Sequence, residues 1–207
     1  MESNSKPINT VIFDLGGVLI DWNPRYLYRT IFRTEEEVEW FLTHVCTTEW
    51  NEQQDAGRSF AAATEELVAR FPGHESAIRA WYDRWQETIR GPIPETVDVL
   101  ETLKKKNQHR LYALTNWSAE TFPWALQHFP FLHWFEGIVV SGVEKTRKPF
   151  PDIYQILFDR YQVVPAQTLF IDDNHANIQT AKSLGLHTIH FTSPEYLRQE
   201  LTHRLLL

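Results

Sequence analysis

Apolar residues along the chain fall into short continuous runs, separated by longer segments with helical spacing. The runs predict five buried β-strands, near residues 10–14, 110–116, 136–142, 168–173 and 187–191. From residue 95 onwards, apolar residues recur every three or four positions before, between and after the last four runs, which predicts helices near residues 95–107, 119–129, 151–162, 177–185 and 193–206. Strands that alternate with helices in this way indicate a parallel sheet with helices on both faces.

The alternation is interrupted once, between the first strand and the residues 91–94. Four segments there have helical spacing with no strand between them, at residues 24–32, 34–45, 58–71 and 75–89, and residues 51–60 are predicted to be the polar loop among them. The sequence therefore predicts an α/β fold, with a doubly wound, Rossmann-like parallel sheet as its core and an inserted helical-bundle cap. The predicted core comprises residues 1–21 and 92–207, and the predicted cap residues 22–91.

Polar residues follow the predicted strands abruptly, at the sheet edge where open parallel sheets bind ligands. In chain order they are Asp14, Thr115, Asn116, Lys148, Asp172 and Asp173. A carboxylate can attack a phosphoryl group as a nucleophile, and lysine, hydroxyl and amide groups stabilise the charge on the phosphoryl oxygens. Mg²⁺ prefers oxygen ligands and would relieve the repulsion among three carboxylates. Together these residues indicate a phosphate-binding catalytic site.

The four motifs FDLGGVL, LTN, RKP and FIDDNHANI occur in an order that resembles the haloacid dehalogenase-like (HAD) hydrolase superfamily. The resemblance is to its cap-bearing phosphatase and dehalogenase branch, in which a helical cap follows the first motif, and it covers almost the whole chain. It implies that Asp14 is the nucleophile, that Thr115 provides the second-motif hydroxyl and that Lys148 stabilises charge. It also implies a Mg²⁺ site whose ligands are Asp14, the backbone carbonyl of Gly16, Asp172 and Asp173.

The sequence departs from the phosphatase pattern at Gly16, where typical members carry a second aspartate that protonates the leaving group. The backbone carbonyl survives this change, but the acid–base carboxylate, typically worth about 10²–10⁴-fold in rate, does not. Asp21 and His175 are possible substitutes. Asp21 is nevertheless better explained as a cap for the helix at Pro24, and His175 as a solvated residue of the loop after Asp173.

Three functions remain open at this point. The favoured one is a Mg²⁺-dependent phosphatase of small phosphorylated metabolites, of the sugar phosphate class. A 2-haloacid dehalogenase that uses Asp14 without metal is the first alternative, because halide needs no protonation, although the acid pair at residues 172–173 argues against it. A non-catalytic binding module on the same fold is the second alternative, which the retained Asp14 and Lys148 disfavour.

Substrate-binding residues are predicted both at the nucleophile turn and at the entrance to the cap. The principal candidates are Gly17, Asn116, Trp22 and Arg25, and the further candidates are Asn23, Trp50, Asp55, Arg58 and Trp117. Trp81 and Trp85 stand at helical spacing and are expected to pack in the core of the cap.

Composition narrows the possible partners. The net charge of −7 disfavours nucleic acid and anionic membranes as partners, but it is compatible with a small anionic substrate bound by local charges. The single cysteine, Cys46, excludes an internal disulfide and suits a reducing, cytoplasmic location. We expect residues 1–9 to be a short polar leader without an apolar signal core. The oligomeric state is left open.

Overall fold

A computed structural model describes residues 7–207, so the first six residues of the predicted leader lie outside it. Residues 7–207 form seven strands: β1 (Thr10–Phe13), β2 (Ile20–Trp22), β3 (Ile89–Pro92), β4 (Arg110–Thr115), β5 (Gly137–Val140), β6 (Thr168–Asp172) and β7 (His187–His190). Five of them form a parallel sheet in the order β5-β4-β1-β6-β7. The five strands predicted from apolar runs are therefore confirmed, with β1 at the centre.

Alternate residues of the central strands enter two separate hydrophobic clusters. Val11 and Phe13 belong to one cluster, and Ile12 between them belongs to the other. This arrangement follows from the pleat of a strand, which sends successive side chains to opposite faces. All four residues of β1 are buried because both faces are covered, which explains why the strand is a continuous apolar run.

Six helices belong to the sheet region: α6 (Pro94–Lys106), α7 (Phe122–His128), α8 (Ser141–Glu144), α9 (Pro151–Tyr161), α10 (His175–Ser183) and α11 (Pro194–His203). Helices α6, α7 and α11 contribute to the cluster that contains Val11. Helices α9 and α10 contribute to the cluster that contains Ile12. The sheet is thus covered on both faces, and the predicted doubly wound α/β fold is confirmed.

Five helices lie between β2 and β3: α1 (Arg25–Tyr28), α2 (Glu35–His44), α3 (Thr48–Asp55), α4 (Phe60–Arg70) and α5 (Glu75–Asp83). They have a hydrophobic cluster of their own, in which the ring centroids of Tyr28 and Phe41 are 4.7 Å apart. Cys46 is buried in the same cluster, as expected for a packed thiol. We call residues 25–83 the helical insertion.

The sequence pattern missed helix α3 and the two short strands that flank the insertion. Residues 51–55, predicted as loop, are helical because Thr47 caps α3 by accepting a hydrogen bond from Trp50 N, while Trp50 and Gln54, one turn apart, are buried. Strands β2 and β3 pair antiparallel where the chain enters and leaves the insertion. They are three and four residues long, too short to show a period in the sequence.

Several helix ends follow from local chemistry. Thr34 and Glu37 form a capping box at the start of α2, and the Ser193 side chain accepts a hydrogen bond from Tyr196 N at the start of α11. Gly185, with φ +88°, follows the end of α10. Within residues 7–207, no helix has the length and apolar character that a membrane crossing requires.

Candidate active site

Three strand ends bring polar side chains together at one edge of the sheet. Asp14 follows β1, and its backbone N–H donates to the carbonyl of Ile171 at 2.9 Å, which places it beside Asp172 at the end of β6. Thr115 ends β4, the neighbour of β1 on the other side. All three polar residues are buried, with exposures of 7% for Asp14, 0% for Asp172 and 1% for Thr115.

Lys148 lies between the two aspartates. Its Nζ is 2.9 Å from Oδ1 of Asp14 and 2.6 Å from Oδ2 of Asp172, and the lysine is 1% exposed. Burial lowers the pKa of Lys148, but the two carboxylates outweigh that effect, so its pKa is raised and the ammonium stays charged. A buried positive charge is therefore held next to the predicted nucleophile.

The loop that carries Lys148 is fixed by Asn116. The Lys148 N–H donates to Oδ1 of Asn116 at 2.8 Å, and Nδ2 of Asn116 donates back to the Lys148 carbonyl at 2.9 Å. Asn116 also borders the pocket described below, where it was predicted to bind substrate. One of its amide hydrogens is already used, so its first role here is to position the lysine.

Asp172 has its carboxylate oxygens occupied by protein donors. Oδ1 accepts from Asn174 N at 2.8 Å and from Nδ2 of Asn177 at 3.0 Å, and Oδ2 accepts from Lys148. Sequence reasoning missed Asn177, although its position in the first turns of α10, five residues after Asp172, is a usable signal. Asp172 is thereby directed towards the lysine.

Three carboxylates nevertheless offer one oxygen each within 4.8 Å of one another, those of Asp14, Asp172 and Asp173. Burial raises the pKa of Asp14 to about 8 despite the opposing effect of Lys148, and burial together with Asp172 raises the pKa of Asp173. Three carboxyl groups share one ammonium group, so the donor set fits a divalent cation with oxygen ligands, whose charge would keep all three ionised. The predicted fourth ligand, the Gly16 carbonyl, lies on the same pocket wall.

The two glycines after Leu15 have different surroundings. Gly17 has φ +73°, and a Cβ on it would lie 2.4 Å from Oδ2 of Asp173, so this position needs glycine for both conformation and space. Its N–H donates to the carbonyl of Ile20 at 2.9 Å and is therefore not free for the predicted contact with substrate. A Cβ on Gly16 would meet nothing within 4 Å, so the missing carboxylate is not excluded by space.

Thr115 fits its predicted role through an unsatisfied hydroxyl. Its Oγ1 is buried and has no hydrogen-bond partner among the residues that the structure describes. A buried hydroxyl without a partner costs about 1–3 kcal/mol. A phosphoryl oxygen bound beside Asp14 would supply the missing partner.

A pocket of about 410 Å³ opens from these residues towards the helical insertion. Its wall on the sheet side includes Asp14, Gly16, Gly17, Asn116, Trp117, Lys148 and Asp173. Its wall on the insertion side includes Trp22, Asn23, Arg25, Asn51, Glu52, Asp55, Phe60, Tyr82 and Trp85. The structure therefore places all four principal substrate-binding candidates at this pocket.

Arg25 lies on the pocket wall, and it is already paired. Its Nη2 lies 2.7 Å from Oε2 of Glu39 in a two-pronged contact. That pairing raises the pKa of Arg25 and neutralises much of its charge towards a substrate. The partner, on helix α2, could not be inferred from the sequence around Arg25.

Other sequence-based candidates lie away from the pocket. Trp50 is buried in the hydrophobic cluster of the insertion, and Arg58 pairs with Glu66 on its surface. Asp21, predicted as a helix cap or a substitute acid, accepts a hydrogen bond from the Tyr26 hydroxyl at 2.9 Å. His175 is exposed in the first turn of α10, near Gln179.

The two tryptophans expected in the cap core lie in different hydrophobic clusters. Trp81 is buried in the cluster of the insertion, as predicted. The prediction for Trp85 is wrong, since it belongs to the cluster of the sheet region and lies 5.9 Å from Trp117, ring centroid to centroid. A turn of 3₁₀ helix after α5 carries Trp85 out of the helical register that links it to Trp81.

The structure adds an ion pair that the sequence did not reveal. Nη2 of Arg147, next to Lys148, lies 2.6 Å from Oε2 of Glu52 on α3. The two side chains are 18% and 33% exposed. This pair ties the lysine loop to the helical insertion at the pocket.

Comparison with known protein families identifies the chain's relatives. Residues 8–185 match the model of the haloacid dehalogenase-like hydrolases. The chain belongs to this hydrolase family. The predicted resemblance is therefore confirmed over most of the sequence, and the HAD-like fold agrees with the parallel sheet and its strand order.

Individual HAD-like relatives are distant but cover nearly the whole chain. The sesquiterpene phosphatase astK of Aspergillus oryzae is 26% identical, over 87% of this chain and 88% of its own. The D-ribitol-5-phosphate phosphatase of Bacteroides thetaiotaomicron is 23% identical, over 94% of this chain and 97% of its own. A HAD family enzyme of the same bacterium, solved with magnesium and inorganic phosphate, superposes with a TM-score of 0.66 at 23% identity, over 89% of this chain and 94% of its own.

Proposed function

We propose that the chain is a Mg²⁺-dependent phosphatase of small phosphorylated metabolites, of the sugar phosphate class. The observation that carries the proposal is the group formed by Asp14, Asp172 and Asp173 around the buried Lys148. Without a metal, three clustered carboxyl groups would share the single positive charge of Lys148, which disfavours the dehalogenase alternative. The phosphatase relatives and the magnesium-phosphate complex of the HAD neighbour support the same function.

In the proposed reaction, a carboxylate oxygen of Asp14 attacks the phosphorus atom, and the bond to the leaving oxygen breaks. Lys148 and the Thr115 hydroxyl donate to the phosphoryl oxygens, whose negative charge they stabilise. Water then hydrolyses the aspartyl phosphate and releases inorganic phosphate. Mg²⁺ would be held by Asp14, Asp172, Asp173 and the carbonyl of Gly16. Its charge would keep Asp14 ionised and would neutralise charge on the phosphoryl oxygens.

The helical insertion is proposed to act as a cap. Its residues form the pocket wall opposite Asp14, and the antiparallel pair of β2 and β3 joins it to the sheet region. A cap in this place would exclude water from the aspartyl phosphate and select the substrate. The predicted boundaries at residues 21/22 and 91/92 fall within β2 and β3, so these two strands would form the hinge.

The proposal includes a small anionic substrate and a cytoplasmic location. The pocket volume of about 410 Å³ suits a small phosphorylated metabolite. The location is supported by Cys46, a buried free thiol whose pKa burial raises to about 12, which keeps it protonated and unreactive.

A phosphate-release assay tests the proposal. The chain is incubated with a panel of sugar phosphates, nucleotides and 4-nitrophenyl phosphate, with Mg²⁺ or with a chelator. We expect Mg²⁺-dependent release that Asp14→Asn abolishes and that Asp98→Asn, which changes an exposed carboxylate on α6 outside the pocket, leaves intact. Halide release from 2-haloacids without metal would favour the dehalogenase alternative, and no activity together with no effect of Mg²⁺ on melting temperature would favour a binding module.

A further inference from the structure

On the sheet side of the pocket, the residues that the structure describes include no free proton donor for the leaving group. Gly16 has no side chain, and the other acids on the sheet side of the pocket, Asp14 and Asp173, belong to the nucleophile and metal group. Alkoxide is a poor leaving group, so a phosphatase of sugar phosphates needs a proton at the ester oxygen. The donor must then come from another wall of the same pocket.

The geometry of phosphoryl transfer says where that donor must lie. The attacking and leaving oxygens are roughly in line through phosphorus, so an acid that hydrogen-bonds the leaving oxygen lies roughly 7–8 Å from the nucleophile. A pocket of about 410 Å³ is about 9 Å across if treated as a sphere. The acid is therefore expected on the insertion side, opposite Asp14.

Two carboxylates line that side of the pocket, Glu52 and Asp55, both on α3. Glu52 is paired with Arg147 at 2.6 Å, so its side chain is already engaged. Asp55 has no ion pair among the described residues, and it accepts a hydrogen bond from Nδ2 of Asn51 at 3.2 Å. Of the two, only Asp55 is free to carry and release a proton.

We propose that Asp55 is the general acid and base that replaces the side chain missing at Gly16. The inference rests on the proposed phosphatase function. In the first step the Asp55 carboxyl gives its proton to the ester oxygen as the phosphorus–oxygen bond breaks and the Asp14–phosphorus bond forms. In the second step the Asp55 carboxylate takes a proton from the water that attacks the aspartyl phosphate, which restores both side chains and releases phosphate.

The surroundings of Asp55 support this role. Burial raises its pKa to about 7, Glu52 adds to the rise and Arg147 opposes it. Tyr82, on α5, also faces it, and burial keeps the pKa of this phenol raised, so the phenol stays neutral near Asp55. A carboxyl that titrates near neutral pH serves both proton transfers, because each of its protonation states is well populated.

The test compares two substrates that differ in their need for a proton. We expect Asp55→Asn to lower kcat/KM for a sugar phosphate by about 10²–10⁴-fold, and to change it by less than about threefold for 4-nitrophenyl phosphate, whose leaving group needs no proton. The limb of the pH profile that belongs to Asp55 should disappear with the sugar phosphate. Asp98→Asn, the matched control outside the pocket, should leave the ratio of the two substrates unchanged.

A rescue experiment separates proton transfer from substrate binding. Gly16 has room for a side chain. Adding Gly16→Asp to the Asp55→Asn variant should therefore raise kcat/KM for the sugar phosphate by at least about tenfold. Equal losses on both substrates, a loss only in KM, or no rescue would overturn the role of Asp55. If the wild-type chain releases phosphate from neither substrate, the proposed function itself is wrong, and the inference falls with it.

Discussion

Lys148 and Asp172 form a buried ion pair in which Nζ and Oδ2 are 2.6 Å apart and neither side chain is exposed to solvent. The lysine also contacts Asp14 at 2.9 Å, so one ammonium group links the end of β6 to the end of β1. Removing one member of a buried pair leaves the other charge without compensation, which typically lowers the free energy of unfolding by about 3–5 kcal/mol. The pair therefore contributes both to the stability of the sheet edge and to the chemistry there.

Replacing the lysine should destabilise the chain strongly. We expect Lys148→Met to lower the free energy of unfolding by about 3–5 kcal/mol in chelator at neutral pH, because Asp14 and Asp172 lose the buried ammonium group that both contact. Denaturant unfolding monitored by circular dichroism measures this loss. Lys105→Met, which removes an exposed lysine paired with Glu101, is the control and should leave the stability nearly unchanged.

The double variant Lys148→Met with Asp172→Asn sharpens this prediction. It should recover part of the lost stability, since only one of the two carboxyl groups that contacted the lysine, that of Asp14, remains. Additive losses in the two single variants would mean that the ion pair does not carry the energy assigned to it.

The turn after the nucleophile should not tolerate a side chain at Gly17. Gly17→Ala brings a Cβ to 2.4 Å from the Asp173 carboxylate, so we expect lower thermal stability and a smaller rise of melting temperature with Mg²⁺. Gly91→Ala is the matched control, since Gly91 also has a positive φ, +133°, but a Cβ there meets nothing within 4 Å. It should lower stability by about 1–3 kcal/mol through backbone strain while it keeps the Mg²⁺ effect. A Mg²⁺ effect preserved in both variants would contradict the contact between Gly17 and the metal group.

Asp55 should make stability depend on pH. Its pKa is about 7 in the folded chain against the ordinary 3.8, so between these values the folded state keeps a proton that the unfolded state has released. The Asp55 contribution to stability is therefore full below about pH 4 and declines as the pH rises to about 7. Asp55→Asn should match the wild type near pH 4 and exceed it by about 1–3 kcal/mol at pH 8, in denaturant unfolding at each pH. A difference that does not grow with pH would show that Asp55 is not held protonated.

The sheet and its strand ends could be predicted because their signals are local. A strand buried on both faces, such as β1, is a continuous apolar run, and the polar residue that follows it marks the carboxyl edge. The positions of Asp14, Thr115 and the acid pair after β6 followed from that pattern alone. The resemblance to HAD-like hydrolases then assigned roles that these positions can fulfil.

What could not be predicted depends on partners distant in sequence. Helix α3 is polar, and only the burial of Trp50 and Gln54 against other helices shows where it packs. The pairing of Arg25 with Glu39 spans 14 residues, and that of Arg147 with Glu52 spans 95 residues. The raised pKa of Asp55 likewise comes from burial beside groups on other elements. The sequence around Asp55 does not show this burial.

The central claim is that Asp14 carries the phosphoryl group during turnover. The most direct measurement is a rapid acid quench of the chain with a sugar phosphate and Mg²⁺, followed by mass spectrometry of the peptide that contains residues 10–17. We predict a phosphoryl group on Asp14 in the wild type, at higher occupancy than in chelator, and none in Asp14→Asn. Mg²⁺-dependent phosphate release without any phosphorylated Asp14, or with the adduct on another residue, would contradict the account.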